Sequence, residues 1–339
     1  MSRSEMDIED RQFMKKYIYC VVASLMILTF PGCSSDKSDE TISAPPVVIN
    51  SFAESDLSNT PVVSSSANVA GTTPSSMDSN MNDFSLGTTT LSEQEIYQDD
   101  DLTLTAKSGL SLDIETGLVI IPIQVQNNSS ERIELLGVDG SVNGAMIQTI
   151  FFASAEPGVK TDASLYLPIN ELNYAGIDLL DDLESYLMLT HSKDESVVFT
   201  ESPLVIEFEG NGNYSQVFDR SGTVVLDQDG IVTTVRPYPD SSGDLESDYN
   251  ILVMVENNSS DAVRISLSSV KVNGESVPSL FYSQVLSGKV SFKLCTFFEE
   301  DLSAANISEV LTVEFVIAIE DPISNEDLFV SEPITISVV

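Results

Sequence analysis

Three acidic clusters contain the side chains with the clearest potential for chemistry. Carboxylates are hard oxygen ligands, and Ca²⁺ takes about six to eight oxygens. None of the clusters has the spacing of a known calcium loop such as the EF-hand. Two interpretations remain open, a calcium site or solvated loop charge. The clusters lie at 99–101, at 181–182 with Glu184, and at 299–301. We predict no metal site, and the weak calcium candidates are Asp99, Asp100, Asp101, Asp181 and Asp182.

Side chains suited to acid–base or nucleophilic catalysis are scarce. His191 is the only histidine, and one histidine without a cysteine cluster excludes most zinc sites. It also leaves Ser-His-Asp chemistry without support. A carboxylate pair for glycoside hydrolysis would need a cleft that no motif indicates. We therefore predict no catalytic residue and no cofactor, and we expect that the protein is not an enzyme.

The cysteines indicate lipid attachment more than redox chemistry. Cys20 lies in an apolar leader and Cys33 directly follows it, so only Cys295 remains in the rest of the chain. No intramolecular disulfide is then available. Cys295 stands in an apolar run without groups that would lower its pKa. We expect a small core residue and not a reactive thiol.

The N-terminal segment resembles the leader of a bacterial lipoprotein. The apolar run 17–30 has the length of a signal-peptide core and is short for a membrane span. It ends in Phe30-Pro31-Gly32-Cys33, which resembles a lipobox. The resemblance implies cleavage of residues 1–32, lipidation of Cys33 and anchoring at the extracytoplasmic face of a cell membrane. Met14 is the expected true start, and a transmembrane anchor or an uncleaved leader is the alternative.

The strongly acidic composition limits the classes of partner. The net charge is −38 at pH 7, and residues 1–32 contain as many acidic as basic side chains. The chain after the leader therefore keeps all of this charge and is repelled by nucleic acid and anionic lipid. We predict no nucleic-acid partner. Basic partners, cations and simple solubility remain as explanations.

An internal repeat organises most of the chain. Residues 119–208 align with residues 249–338 at a constant offset of 130, without a gap. The shared residues are nearly all core or turn types, whereas the exposed positions have diverged. Any binding surface is therefore expected in one repeat or at the junction near 210–212.

The repeats have the pattern of β-sandwiches. Apolar residues alternate along the run 121–125, a polar Asn-Asn-Ser-Ser turn follows, and Asn143-Gly144 and Asn273-Gly274 are hairpin dipeptides. One short helical turn is predicted in each repeat, near 170–175 and 300–305. The sequons at Asn127 and Asn257 are interpreted as turn chemistry. We predict an all-β chain with sandwiches at 93–210 and 211–339, after a disordered tether at 33–92 that is rich in Ser, Thr and Asn.

The sandwiches resemble immunoglobulin-like domains of uncharacterised surface lipoproteins in Gram-positive gut clostridia. The resemblance rests on the Asn-Asn-Ser-Ser turn, the Val-Asn-Gly turn and the Leu-x-x-Ala-x-Ile element, and it covers residues 93–339. It implies fold and location, because such domains are largely uncharacterised. The sequence thus predicts a lipid-anchored surface protein that binds a protein partner or assembles the envelope. The alternative is a module that binds surface glycan or calcium.

Overall fold

β-Strands dominate the architecture of this chain. The computed structural model describes residues 84–191, 197–210, 214–238, 248–279 and 281–338. The leader, Cys33 and the tether up to residue 83 lie outside the described residues. The first half contains β1 (Gln94–Gln98), β2 (Leu102–Ala106), β3 (Ser111–Asp113), β4 (Leu118–Asn127), β5 (Ile133–Val142), β6 (Ala145–Met146), β7 (Ile150–Ala155), β8 (Lys160–Pro168), the helix Ile169–Tyr174, β9 (Asp182–His191), β10 (Val197–Phe199) and β11 (Leu204–Glu207).

The second half repeats this order at the predicted offset. Each strand from β4 to β11 has a counterpart, as has the helix, and this confirms the repeat, the helical turns and the all-β, sandwich-like fold. The second half contains β12 (Thr223–Gln228), β13 (Ile231–Tyr238), β14 (Tyr249–Asn257), β15 (Val263–Val272), β16 (Glu275–Ser276), β17 (Tyr282–Val285), β18 (Val290–Phe297), the helix Glu299–Ala304, β19 (Thr312–Glu320), β20 (Asp327–Val330) and β21 (Ile334–Ser337).

Each repeat buries one core between two layers of strands. In the first repeat, β1, β2, β4 and β8 form one layer, and β5, β9, β10 and β11 form the other. β7 pairs with both β5 and β8 and joins the layers at one edge. Alternate residues of β2, β4, β5, β8 and β9 point inward and are buried together. In the second repeat, β12, β13, β14 and β18 face a layer of β15, β16, β17, β19, β20 and β21.

Residues 84–92, which the sequence assigns to the tether, belong to the folded structure. Leu86 and Leu91 are buried in the first core, and Thr90 exchanges backbone hydrogen bonds with Glu209. Two apolar side chains in a Ser- and Thr-rich segment are enough to attach it, because the rest of the sandwich provides the surface that covers them.

The two repeats contact each other through an apolar face and a strand pairing. In β14, Leu252 and Met254 point away from the second core, and with Phe292 of β18 they join the first core cluster. β6 pairs in parallel with the start of β18, where the Val290 N–H donates to the Gly144 carbonyl at 3.0 Å. Both repeats belong to one compact unit.

Charged side chains surround this junction. Lys293 Nζ donates to Glu171 Oε1 at 2.5 Å and Lys289 Nζ donates to Glu184 Oε2 at 2.6 Å. Asp139 accepts from Gln284 Nε2 at 2.9 Å, and burial raises the pKa of Asp139. The contact is thus an apolar centre with a polar rim.

Candidate functional site

The acidic cluster at 99–101 forms the turn between β1 and β2. Asp99 Oδ1 accepts the backbone N–H groups of Asp101 at 2.9 Å and Leu102 at 2.7 Å. Asp99 Oδ2 accepts the Tyr97 hydroxyl at 2.8 Å. The pKa of Tyr97 is raised to about 12, mainly by burial and further by this hydrogen bond and the negative charge of Asp99. Both oxygens of Asp99 therefore serve the turn, and Asp100 and Asp101 are exposed.

The acidic cluster that begins at Asp181 and Asp182 stabilises the end of a hairpin. The Asp181 N–H donates to Asn143 Oδ1 at 2.8 Å, and Asp182 Oδ1 accepts the Asn143 N–H at 3.0 Å. Burial raises the pKa of Asp182, and the positive charge of Lys289 opposes this rise. In the ranges given above, no group of three or more His, Cys, Asp and Glu side chains could hold a metal ion. The fold therefore does not bring the five metal candidates together.

The lone histidine lies beside a glutamate of the same repeat. His191 Nδ1 lies 3.3 Å from Glu131 Oε1 at the end of β9, and both side chains are partly buried. Three tyrosines, Tyr174, Tyr186 and Tyr238, do not form one exposed surface. Tyr174 and Tyr238 pack edge to face at 5.3 Å and contact the first core, whereas Tyr186 lies on a different face. This arrangement offers no row of exposed aromatic rings among these tyrosines.

Cys295 is fully buried in β18 and in the second core. Burial raises the pKa of its thiol to about 12, so the nucleophilic thiolate is scarce near neutral pH. In a chain with Cys20 and Cys33 replaced by serine, we expect iodoacetamide at pH 8 to leave Cys295 unmodified in the native state. Unfolding in guanidinium should expose it to complete labelling, measured by intact mass. Rapid labelling of the native chain would contradict the burial of this thiol.

The two sequon asparagines make the same set of contacts in both repeats. Asn127 Nδ2 donates to the carbonyls of Glu131 and Ala155 at 2.7 and 2.8 Å, and Oδ1 accepts the N–H and hydroxyl of Ser129. Asn257 makes the equivalent bonds. Both side chains are buried, so the interpretation as turn chemistry is confirmed.

The feature that sets the first repeat apart is an apolar row across its outer face. Strand register places Leu136 of β5 beside Phe152 of β7 on one side and Met188 of β9 on the other. Phe199 of β10 lies next to Met188. Phe152 is 51% exposed and Phe199 is 60% exposed, and the two inner residues are half-buried. We call these four residues the apolar row.

Neighbouring positions widen this row into a patch. Val138 pairs with Tyr186 one step along β5 and β9, and Val197 lies two residues from Phe199 on the same face of β10. Adjacent strands lie about 4.8 Å apart, so directly paired side chains are close enough for contact across the sheet. Isolated surface apolar residues are ordinary, but a contiguous patch indicates an interaction surface.

The second repeat lacks the row at the same positions. Ser266 and Ala318 stand where the first repeat has Leu136 and Met188, and Tyr282 and Val330 flank them. The apolar row is therefore not a requirement of the shared fold. The sequence predicts a binding surface in one repeat or at the junction near 210–212, but it does not identify the apolar row. The available signal was the loss of alternation in β5, where Leu135 and Leu136 are both apolar.

The row ends at an open sheet edge. β10 pairs with β9 on one side, and within the described ranges no strand pairs with its other side. All three of its residues are at least half exposed, including Val198 at 50%. Such an arrangement can hold an apolar or strand-forming polypeptide, and it has no group suited to bond-making chemistry.

Comparisons with known proteins give no family. No family description matches the chain, and no curated protein matches it. None of the helices in the described part of the chain has the length and apolar character needed to cross a membrane.

Among solved structures, a protein of unknown function from Porphyromonas gingivalis W83 is 12% identical, with 65% of this chain and 90% of that chain covered and a TM-score of 0.19. A bacterial ice-binding adhesin of 1.5 MDa, studied for host cell surface retention, is 14% identical over 66% of this chain and 57% of its own, with a TM-score of 0.18. The BSP domain of a biofilm-associated protein is 13% identical over 76% and 54%, with a TM-score of 0.16. The matches span little more than half of the adhesin and biofilm chains, and likeness at this level carries no argument about function.

Proposed function

We propose that this protein is a non-enzymatic, lipid-anchored surface protein that binds a protein partner through the apolar row of its first repeat. The lipid on Cys33 and the tether that follows it hold the folded repeats at the extracytoplasmic face of a membrane. Both rest on the sequence of the N-terminal segment. The immunoglobulin-like character of the repeats is part of the same proposal.

The apolar row is the observation that carries the proposal. Phe152 and Phe199 each expose half or more of a large aromatic surface, although the chain is otherwise highly charged. Aromatic residues and methionine are enriched at protein–protein interfaces. Burial of exposed apolar area against a partner is favourable by roughly 25 cal/mol per Å² before the costs of association.

The alternative, a glycan- or calcium-binding module, has less support from the structure. The oxygens of Asp99 already accept three hydrogen bonds within its turn. Tyr174 and Tyr238 pack against each other. An enzyme is supported least, because no convergent polar cluster accompanies the row.

A charge placed in the row tests the proposal. Met188→Glu should abolish capture of a stoichiometric partner when the full chain is cross-linked in the envelope of its source cell, because the carboxylate would be desolvated in the contact. Ala318→Glu, at the matching position of the second repeat, should leave capture unchanged. The measurement is quantitative mass spectrometry, with circular dichroism to verify that both variants fold.

Equal capture by Met188→Glu and the unaltered chain would remove the apolar row as the binding surface. If the unaltered chain captured no protein, protein binding itself would be rejected. Calcium and glycan titrations would then test the alternative.

A further inference from the structure

We propose that the partner contributes a basic, amphipathic β-strand that adds to the open edge of β10. The inference rests on the proposed function, because it names the partner segment that the apolar row would receive. It arises from three observations: the direction of the free backbone groups, the lack of charged residues, proline and bulges in this edge strand, and the charge of the chain.

The backbone of β10 presents hydrogen-bonding groups to the open side. The Thr200 N–H donates to the Leu187 carbonyl, and this pair continues the register in which Val198 faces Leu189. In an antiparallel ladder, bonded and non-bonded pairs alternate. Val198 therefore bonds to β9, whereas the N–H and C=O groups of Val197 and Phe199 point outward. Two residues thus offer two donors and two acceptors to an added strand.

This edge strand contains no charged residue, proline or bulge. Natural edges are protected by these features or by short length, and of these β10 has only the short length of three residues. The adjoining edge strand β11 begins after Pro203, and the matching edge of the second repeat begins with Asp327. β10 instead reads Val-Val-Phe. The second-repeat edge β20 also exposes Leu328 and Val330, but it places Asp327 beside them, whereas β10 has no charged residue.

An added strand would continue the apolar row. Alternate residues of a strand lie on one face, so a partner with apolar residues at i and i+2 would place them beside Val197 and Phe199. The remaining residues would face the opposite side, where the net charge of −38 on this chain favours lysine and arginine. The fitting segment therefore alternates small apolar and basic residues.

The chain already uses strand addition at its own junction. β6 is only two residues long, yet it pairs with β18 and is accompanied by an apolar contact beneath and by Lys–Glu pairs around it. The proposed contact at β10 has the same components, a short pairing, an apolar surface and charge complementarity, with the partner supplying the basic groups.

A fluorescent peptide of alternating lysine and valine tests the inference on the full chain. We expect saturable binding by fluorescence anisotropy at moderate salt. Val197→Pro removes one outward N–H at a strand start, where proline is tolerated, and should weaken binding by on the order of tenfold. Asp327→Pro is the matched control in the second repeat and should have no effect. A peptide of alternating glutamate and valine should bind at least about tenfold more weakly.

The outcomes separate this inference from the proposed function. Binding that is lost in Met188→Glu but unchanged in Val197→Pro would overturn strand addition and leave the apolar row as a protein-binding face. Strand addition would also be overturned if the lysine–valine peptide did not bind while envelope capture still depended on Met188. The apolar row would again remain as a protein-binding face. If the unaltered chain neither bound the lysine–valine peptide nor captured a protein from the envelope, both proposals would be overturned.

Discussion

Replacement of Asn127 by alanine should lower the free energy of unfolding by about 3 kcal/mol, because buried backbone groups lose their partners. The carbonyl of Ala155 lies inside the sandwich and accepts the Asn127 amide at 2.8 Å. The same side chain orders the Ser129 turn through Oδ1. Water cannot replace these bonds easily, since the asparagine is fully buried.

The neighbouring residue provides the control for this prediction. Asn128 occurs in both repeats too, but its side chain bonds to Gln126 and Thr103 at the surface. Asn128→Ala should therefore cost less than about 1 kcal/mol in urea denaturation of the full chain. Asn257→Ala should match Asn127→Ala, because its contacts are the same. An Asn127 variant as stable as the Asn128 variant would show that the buried amide contributes little.

The turns and strands could be predicted because their determinants are local. Asn143 and Asn273 adopt φ values of 49° and 51°, followed by Gly144 and Gly274 at 85° and 88°. Positive φ at both positions is what an Asn-Gly hairpin turn requires. Apolar alternation along β4 likewise specifies which side chains point inward. Because the same local patterns occur in both repeats, each of these predictions holds at two places in the chain.

The apolar row could not be predicted in the same way. Its members lie on β5, β7, β9 and β10, and they become neighbours only through the register between strands. Leu136 and Met188 are 52 positions apart in the sequence, and nothing local aligns them. In the described part of the chain, the acidic clusters at 99–101 and 181–184 do not form a group of three or more side chains that could hold a metal ion.

The junction between the repeats was also beyond sequence reasoning. When the two repeats are aligned, Leu252, Met254 and Phe292 stand at the positions that Pro122, Gln124 and Asp162 occupy in the first repeat. Each difference replaces a polar or solvent-tolerant residue by one that is buried at the junction. In the first repeat the same face stays open, with Gln124 Nε2 donating to Asp162 Oδ1 at 3.2 Å. The divergence of exposed positions thus marks where one repeat covers the other.

Phe292→Asp should therefore separate the repeats more effectively than any change in the polar rim. It gives the second repeat the residue that the first has at this position, and it places a carboxylate where Phe292 is 2% exposed and contacts Phe218. Lost apolar burial and desolvation of the charge should lower the free energy of unfolding by at least about 4 kcal/mol.

The form of the unfolding transition is as informative as its size. Because residues of both repeats share the first core cluster, we expect the unaltered chain to unfold in one calorimetric transition. Phe292→Asp should split it into two, with the second repeat unfolding at lower temperature. Asp162→Ala, at the same position of the exposed face, should leave a single transition. If Phe292→Asp also unfolded in one transition, the repeats would be coupled through the β6–β18 pairing and its ion pairs and not through the apolar face.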